Sequence, residues 1–242
     1  MKFNFLSSIG KGTFGLVREA IEIGTNNRYA IKTLLKSQHE GERTEFLKKE
    51  VEILRELKDE NPHIISCYNV YEDRNSVHII FDLIEGGDLF DYISDSTDNN
   101  NYLTEKQAVG FFEQILDALH FLYTKRIVHR DIKLENFLII QKDKEILLKL
   151  IDFGFASKIP QCGFLTEPIG SPYNVAPEIL LGKPYDSKVD IWAAGVLLYN
   201  MVSGKQPFSG DSEEELAEKI INNEVQFIDE VYVYIIIQVS RS

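Results

Sequence analysis

Cysteine is scarce in this sequence of 242 residues. Cys67 and Cys162 are the only two, they lie far apart, and neither stands at the short spacing that metal sites use. A framework of disulfides is therefore excluded, which favours a reducing, intracellular compartment. We expect the protein in the cytoplasm, with access to the nucleus left open.

Long apolar runs are missing as well. No run approaches the length that crosses a bilayer, and the opening residues MKFNFLSSIGKG lack the apolar stretch of a signal peptide. Position 2 is Lys2 and not the glycine that N-myristoylation requires. These absences predict no membrane partner.

Positive charge is in short supply. Lysine and arginine total 26 against 38 aspartates and glutamates, for a net charge of −12. Such a balance argues against nucleic acid and anionic membranes as main partners and favours basic peptides. The hydrophobic share of 44% and the charged share of 26% are ordinary for a globular protein long enough for one large domain or two lobes.

The first part of the chain, residues 1–85, has the pattern of a small sheet that carries one helix. Residues 3–23 and 28–35 are rich in strand-forming side chains, and two further strands are predicted within 65–84, around a polar turn. Between them, apolar residues at helical spacing predict a helix over 42–58. We expect these elements to form an N-terminal lobe.

The pattern becomes helical after Gly86–Gly87, which we predict to be the hinge between two lobes. Thr104 and Gln107 stand at capping-box spacing before a long amphipathic segment. Residues 188–202 are apolar almost all round, as in a helix buried on every side. Three further divisions complete the expectation: a polar loop over 94–101, a partial large lobe over 86–228, and an atypical tail over 229–242.

The segment IGKGTFGLV, residues 9–17, places Gly10, Gly12 and Gly15 between two predicted strands. Glycines let a backbone approach a polyphosphate closely and offer N–H groups to it. A glycine-rich hairpin without a ligand is the alternative. Neither a helix nor a GK[ST] sequence follows, which disfavours dinucleotide-binding and Walker-type loops.

Two charged residues are expected to meet in the N-terminal lobe. Lys32 lies inside the apolar strand YAIK, where a lysine needs an anionic partner, and the predicted helix offers Glu50 beside its apolar face. An ordinary surface salt bridge is the alternative.

The segment IVHRDIKLENFLII, residues 127–140, inserts polar side chains between two apolar runs. An ordinary solvated turn is the alternative to a functional loop. These polar residues are His129, Arg130, Asp131, Lys133, Glu135 and Asn136.

Asp152 ends an apolar strand and is followed by Phe153 and Gly154. A carboxylate that leaves a buried strand at a glycine turn is well placed to bind Mg²⁺ together with a second oxygen ligand, for which Asn136 is the candidate. An ordinary aspartate at a strand-to-turn boundary is the alternative.

The order of these motifs, completed by the APE sequence at 176–178, resembles the eukaryotic protein kinase catalytic domain from residue 1 to about 225. The resemblance implies a two-lobed α+β fold, with a small antiparallel sheet lobe and a mainly helical large lobe. It also implies ATP and Mg²⁺ as cofactors. The residues expected to surround the nucleotide are Ile9, Gly10, Gly12, Gly15, Val17, Ala30, Phe81, Asp82, Ile84 and Leu138.

Within that set, the resemblance implies that the glycines cover the phosphates, that Phe81 is the gatekeeper, and that the Asp82 and Ile84 backbone binds the adenine edge. Val17, Ala30 and Leu138 would sandwich the ring. The catalytic and metal-binding residues implied are Lys32 on the α- and β-phosphates, Glu50 orienting it, Asp131 accepting the substrate proton, Lys133 on the γ-phosphate, and Asn136 with Asp152 on Mg²⁺.

The resemblance also indicates which side-chain hydroxyl is phosphorylated and which residues surround it in the substrate peptide. Lys133 and Ser171 in GSPYNVAPE are similar to serine/threonine kinases, and EGGDLFDYI is most similar to the calcium/calmodulin-dependent group, including calcium-dependent protein kinases. Asp88 and Glu135 match acidic residues that read arginines before the phosphosite. Protein substrates with basic residues near the serine or threonine are therefore implied.

Arg130 is expected to be buried and to need an anion from the activation segment, residues 152–178. Many kinases use a phosphothreonine, but here Glu167 stands at that position, so we predict that loop phosphorylation is not required. Phosphorylation of the neighbouring Thr166 is the alternative. His129 is predicted to be structural, packed against Asp190 and Phe153.

The family pattern breaks near the end of the sequence. The tail 229–242 alternates β-branched and aromatic residues, and the arginine that normally pairs with Glu178 is absent, so we expect Glu178 unpaired and one face of the 188–202 helix uncovered. The alternative to an active serine/threonine kinase is thus an inactive fragment that binds nucleotide or a partner. No calcium-binding EF-hand loop is present, so no calcium control is expected.

Overall fold

The structure is a computed structural model that describes residues 2–12, 15–36, 42–96, 102–142, 145–161, 163–222 and 225. The predicted tail 229–242 and Cys162 lie outside the described residues. No helix in the described part of the chain is both long enough and apolar enough to traverse a membrane.

The N-terminal lobe is a five-stranded antiparallel sheet with the order β1-β2-β3-β5-β4. A turn at residues 23–25 joins the second and third strands, and Gly24 in it takes a φ of 106°, which favours glycine. The strands are β1 Phe3–Lys11, β2 Gly15–Glu22, β3 Arg28–Leu35, β4 Cys67–Glu72 and β5 Ser76–Asp82.

The register of this sheet decides which side chains face the second lobe. β3 and β5 pair Ala30 with Phe81 and Lys32 with Ile79, so these four side chains share one face. Helix α1, Glu42–Glu56, packs near this sheet and ends two residues before the predicted end at 58. The sheet thereby directs its one buried lysine toward the interior of the molecule.

The C-terminal lobe is mainly helical, as expected, with two short antiparallel strand pairs. Its helices are α2 Leu89–Ser96, α3 Glu105–Thr124, α4 Pro177–Leu180, α5 Lys188–Ser203 and α6 Glu213–Asn222. Its strands are β6 Ile127–Val128, β7 Phe137–Lys142, β8 Glu145–Leu150 and β9 Ser157–Lys158, with β6 paired to β9 and β7 to β8. Single 3₁₀ turns cover Leu134–Asn136 and Phe153–Phe155.

The capping box of α3 is confirmed. The Thr104 hydroxyl accepts a hydrogen bond from the backbone N–H of Gln107, and the Gln107 side chain accepts one from the backbone N–H of Thr104 at 3.1 Å. These two bonds satisfy donors that a helix N-terminus leaves open. The start of α3 was therefore readable from local sequence.

The polar loop predicted over 94–101 is wrong at its first three residues, which form the last turn of α2. Asp88 caps this helix by accepting a 2.8 Å hydrogen bond from the Asp91 backbone N–H, and Leu89 and Ile93 bury its apolar face. A cap and two buried side chains extend the helix into a polar stretch. Residues 97–101 lie outside the described part.

The prediction that α5 is buried on every side is wrong along one strip. Ala194, Leu197 and Met201 are fully buried, whereas Ile191 is 52% exposed and Gly195 is also exposed. Because these two residues are four positions apart, they share one face of the helix. The expectation of an uncovered face therefore holds for the described residues.

The two lobes share one hydrophobic core. A single cluster contains Leu54 of α1, Phe137 of β7, Phe153 and Leu197 of α5. The loop after α1 is also bound to β8, because the Leu150 backbone N–H donates to the His63 carbonyl at 2.8 Å. These contacts hold the N-terminal sheet over the C-terminal lobe and define the cleft between them.

Candidate active site

A cavity of about 780 Å³ opens between the two lobes. It lies where the cleft-facing side of the sheet meets the β7–β8 strand pair and the hinge. Its lining contains sixteen of the residues predicted to bind nucleotide, metal or peptide or to act in catalysis: Ile9, Gly10, Gly12, Val17, Ala30, Lys32, Glu50, Phe81, Asp82, Ile84, Asp88, Lys133, Glu135, Asn136, Leu138 and Asp152.

Lys32 is the charged centre of this cavity. Its Nζ lies 2.6 Å from Glu50 Oε1 and 2.6 Å from Asp152 Oδ1, so the predicted pair with Glu50 is confirmed and Asp152 is a second partner. Burial lowers the pKa of Lys32, but attraction by the two carboxylates outweighs it, so the pKa is raised. The ammonium is therefore charged at neutral pH.

Two carboxylates, the buried Glu50 and the partly buried Asp152, share this single ammonium group. Burial raises the pKa of Glu50, and the charge of Lys32 offsets that effect only in part. Glu50 Oε2 is buried and has no hydrogen-bond partner among the described residues. With both carboxylates ionised, the triad of Lys32, Glu50 and Asp152 carries one more negative than positive charge, which a further cation would balance.

Gly12 of the glycine-rich segment lies directly beside the triad. A Cβ on Gly12 would lie 3.0 Å from Lys32 Cε and in contact with Asp152 Oδ2 at 3.4 Å, so a side chain there would crowd Lys32. Gly15 is placed differently from the expectation, because it does not line the cavity. Its absent Cβ would lie 2.5 Å from the Thr33 carbonyl, so Gly15 serves the close packing of β2 on β3.

Asp131 is buried and receives several hydrogen bonds. Ser171 Oγ donates to its Oδ1 at 2.5 Å, Lys133 Nζ lies 2.8 Å from its Oδ2, and Asn136 Nδ2 lies 3.1 Å from the same oxygen. These donors hold the carboxylate in one orientation. Ser171, which no spacing argument links to Asp131, is brought to it by the fold.

His129 is structural, as predicted. Its ring stacks edge-on against Phe153 with centroids 4.9 Å apart, and the carboxylate of Asp190 accepts hydrogen bonds from the backbone N–H groups of His129 and Arg130 at 2.7 and 2.8 Å. Arg130 adopts a φ of 67° and Asp152 a φ of 57°, which are uncommon for residues with side chains. Strained backbone of this kind persists where surrounding contacts enforce it, and here it aims functional side chains.

The predicted metal ligands meet in the cavity. Asn136 Nδ2 donates to the backbone carbonyl of Asp131 at 2.7 Å as well as to its carboxylate, so the amide oxygen is the atom left to accept from or bind another group. Asp152 lines the same space. Among the described residues no group of three or more acidic, histidine or cysteine side chains could hold a metal ion, so these two oxygens would need ligands from elsewhere.

Arg130 meets the anion predicted for it. Its side chain is buried, and its Nη1 lies 3.1 Å from Glu167 Oε2, while Thr166 is exposed to solvent. Burial raises the pKa of Glu167, but hydrogen bonds from backbone N–H groups and the charges of Arg130 and Lys49 outweigh it and lower the pKa. Glu167 is therefore ionised at neutral pH. Glu178 has no ion pair among the described residues.

A second groove of about 260 Å³ adjoins the main cavity and reaches the activation segment. Lys133, Glu135 and Ser171 line it together with Phe90, which sequence reasoning missed. Asp88 lies in the main cavity, where Asp91, also missed, joins it. Phe90 and Asp91 lie in α2, shortly after the glycine pair at 86–87, and that position was the only sequence signal that could have pointed to them.

The profile of the protein kinase domain family matches residues 3–240. This chain belongs to the protein kinase family. The match extends beyond residue 225, where the motif-based resemblance was expected to end. The family match therefore covers nearly the whole chain, including the positions of Lys32, Glu50, Asp131 and Asp152.

Individual relatives support the assignment to the protein kinase family. The kinase domain is 36% identical to calcium-dependent protein kinase 21 of Arabidopsis thaliana over 223 residues, which covers 92% of this chain and 41% of the relative. It is 37% identical to calcium-dependent protein kinase 5 of Plasmodium falciparum over 220 residues, covering 90% and 37%. It is 39% identical to human NUAK family SNF1-like kinase 2 over 223 residues, covering 91% and 34%. The chain thus spans less than half the length of these relatives.

Proposed function

We propose that this kinase domain transfers the γ-phosphoryl group of ATP to serine and threonine hydroxyls of protein substrates, with Mg²⁺ as the metal. The observation that carries the proposal is that Lys32 and Asp152 pair in the cleft, while Asp131 is bound to Asn136 and Lys133, which line the same cleft. An incidental surface ion pair would not bury Lys32 to 3% exposure between two carboxylates.

The nucleotide is expected to lie between the lobes. Val17 and Ala30 line the cavity from the sheet and Leu138 from the C-terminal lobe, so a flat ring fits between apolar surfaces. Gly10 and Gly12 bring backbone close to the charged triad, where phosphates would meet Lys32. The backbone of Asp82 and Ile84 at the hinge supplies hydrogen-bonding groups for the ring edge.

The donor set fits Mg²⁺. Asp152 and the amide oxygen of Asn136 are hard oxygen ligands, and Mg²⁺ in nucleotide sites completes its coordination with phosphate oxygens and water. The surplus negative charge of the Lys32 triad also favours a cation. When bound, ATP supplies the phosphoryl group and Mg²⁺ neutralises the negative charge on it.

Asp131 is placed to orient the attacking hydroxyl and to take its proton. The Ser171 hydroxyl already donates to this carboxylate at 2.5 Å, which supports its role as a hydroxyl acceptor. In the reaction the substrate oxygen forms a bond to the γ-phosphorus, the bond to ADP breaks, and the hydroxyl proton passes to Asp131. Lys133, 2.8 Å from Asp131, supplies positive charge beside the transferred group.

The peptide preference is proposed to be basic. Glu135 lines both the cavity and the adjoining groove, and Asp88 and Asp91 lie at the cavity, so a substrate would meet three carboxylates near the site. A positional-scanning library of serine peptides tests this, with enrichment of arginine before the phosphosite expected. Equal phosphorylation with and without arginine would refute the preference.

Location in the cytoplasm stays a prediction.

Glu167 is proposed to replace a phosphothreonine as the partner of Arg130. The 3.1 Å contact and the lowered pKa of Glu167 support this, since both keep a negative charge on the buried guanidinium. Glu167→Ala is expected to lower kcat/KM, whereas Thr166→Ala is expected to leave it unchanged. Full activity of Glu167→Ala would refute the proposal, and loss of activity in Thr166→Ala would favour loop phosphorylation.

The proposed activity is tested by transfer of labelled γ-phosphate to an arginine-containing serine peptide, with Asp131→Asn as the control. Transfer by the wild-type chain and its loss in the variant are expected. The alternative is an inactive fragment that binds nucleotide or a partner, favoured by Glu178, which has no ion pair among the described residues, and by the exposed strip of α5. Binding of ADP without any transfer would support that alternative.

A further inference from the structure

Tyr185, just before α5, forms three hydrogen bonds to the activation segment and one to Arg130. Its backbone N–H donates to the Leu165 carbonyl at 2.9 Å, and the Leu165 backbone N–H donates to the Tyr185 carbonyl at 2.8 Å. Its hydroxyl donates to the Glu167 carbonyl at 2.6 Å and accepts from Arg130 Nη1 at 3.3 Å. Tyr185 thus contacts Leu165 and Glu167 of the activation segment and also the buried Arg130.

The hydroxyl of Tyr185 lies where an acceptor is needed. The Arg130 side chain is buried, its Nε donates to the Phe155 carbonyl at 2.6 Å, and its Nη2 has no hydrogen-bond partner among the described residues. Its carboxylate partner Glu167 is 43% exposed on the side chain, so water weakens that attraction. A buried, incompletely paired guanidinium depends on each remaining acceptor.

The same hydroxyl remains a donor over the neutral pH range. Burial raises the pKa of Tyr185, the charge of Arg130 offsets this in part, and the phenol stays protonated. It can therefore donate a hydrogen bond to the Glu167 carbonyl while it accepts one from Arg130. One side chain fixes both the position of residue 167 and the orientation of the guanidinium.

We propose that Tyr185 is a positioning residue that holds the activation segment in its active arrangement through its hydroxyl. The proposal rests on the proposed kinase activity and on Glu167 as the partner of Arg130. The path to the chemistry is short, since Ser171, four residues after Glu167, donates to Asp131 at 2.5 Å. A segment released at residue 167 would carry Ser171 away from the carboxylate.

A purely structural reading of Tyr185 is that its ring fills the apolar cluster with Leu165 and Val189. Tyr185→Phe separates the two readings, because it keeps the ring and removes only the hydroxyl. Tyr92→Phe is the matched control, since Tyr92 packs edge-on against Phe111 at 5.7 Å and no hydroxyl hydrogen bond is found for it among the described residues.

The first measurement is kinetic, on the full chain with an arginine-containing serine peptide. We expect Tyr185→Phe to lower kcat/KM for the peptide about 5- to 50-fold, as the loss of two hydrogen bonds allows, with the KM for ATP unchanged. Combining it with Glu167→Gln should cost less than the product of the two single losses, because both act on Arg130. Tyr92→Phe should match the wild type.

The second measurement needs no activity. Chymotrypsin cleavage after Phe164, which is 53% exposed, is expected to be faster in Tyr185→Phe than in the wild type and in Tyr92→Phe. An active wild type together with unchanged kinetics in Tyr185→Phe overturns the inference, as does an unchanged cleavage rate. An inactive wild type with faster cleavage in Tyr185→Phe overturns the proposed kinase activity and leaves the anchoring role of Tyr185 supported.

Discussion

Gly86 lies so close to the Ile139 backbone of β7 that a side chain has no room there. A Cβ built on Gly86 would lie 2.1 Å from the Ile139 carbonyl oxygen and 3.0 Å from its carbonyl carbon. Directly after Gly86 the Ile139 backbone N–H donates to the Gly87 carbonyl at 3.0 Å, and Asp88 forms a β-bridge with Leu138. Gly86 is therefore a packing contact, although its glycine pair was predicted as a hinge.

Gly86→Ala should separate the hinge segment from β7. Both atoms in the clash are fixed to the backbone, so relief requires the segment at Gly86 and β7 to move apart by about 1 Å. Overpacking of this kind costs about 1–3 kcal/mol. Loss of the adjacent Ile139 hydrogen bond adds about 0.5–1.5 kcal/mol. The sum, about 1.5–4.5 kcal/mol, is a large share of the ~5–15 kcal/mol stability of a typical domain.

Thermal and denaturant unfolding measure this loss. For a chain of this size the melting temperature should fall by about 5–15 °C, and ADP affinity should also fall, because Leu138 and the hinge backbone both line the nucleotide cavity. Gly110→Ala is the control: Gly110 lies in α3 with nothing within 4 Å of its absent Cβ, and alanine there should stabilise by up to ~1 kcal/mol.

The reasoning fails if Gly86→Ala unfolds within about 0.5 kcal/mol of the wild type and binds ADP equally well, a difference typical of a surface substitution. In that case the hinge segment would have room to shift without disturbing β7.

Three further predictions concern charged or ionisable groups. Glu50→Gln should lower kcat/KM about 10²-fold in the peptide assay, because Lys32 loses a buried partner at 2.6 Å; a change within twofold would contradict this. Asp73, whose pKa the hydrogen bond from His78 lowers to about 2, stabilises the fold above its ordinary pKa of 3.8 and loses that effect as pH falls through about 2. The melting-temperature advantage of wild type over Asp73→Asn should therefore shrink between about pH 4 and about pH 2, and a constant difference would count against the pair. Burial raises the pKa of the Cys67 thiol, so iodoacetamide at pH 7 should label it much faster in denatured than in native protein by peptide mass spectrometry; equal rates would show that the thiol is accessible.

Local patterns predicted most of the elements because they depend on neighbours in sequence. The capping box of Thr104 and Gln107 marked the start of α3, and strand-forming side chains marked β3, whose register places Lys32 on the cleft face. The last turn of α2 was missed because its stability comes from burial of Leu89 and Ile93, which polar composition conceals. The exposed strip at Ile191 was likewise invisible to composition.

The sequence by itself determined which chemical groups this kinase domain has and in what order they occur, since order and spacing carried the resemblance. Only the tertiary structure decided how they are paired. Asp152 became a second partner of Lys32 from 120 positions away, and Tyr185 reached Arg130 from 55 positions away. The physical reason is that periodicity reports the environment of a residue along its own element, whereas contacts between distant segments follow from how whole elements pack.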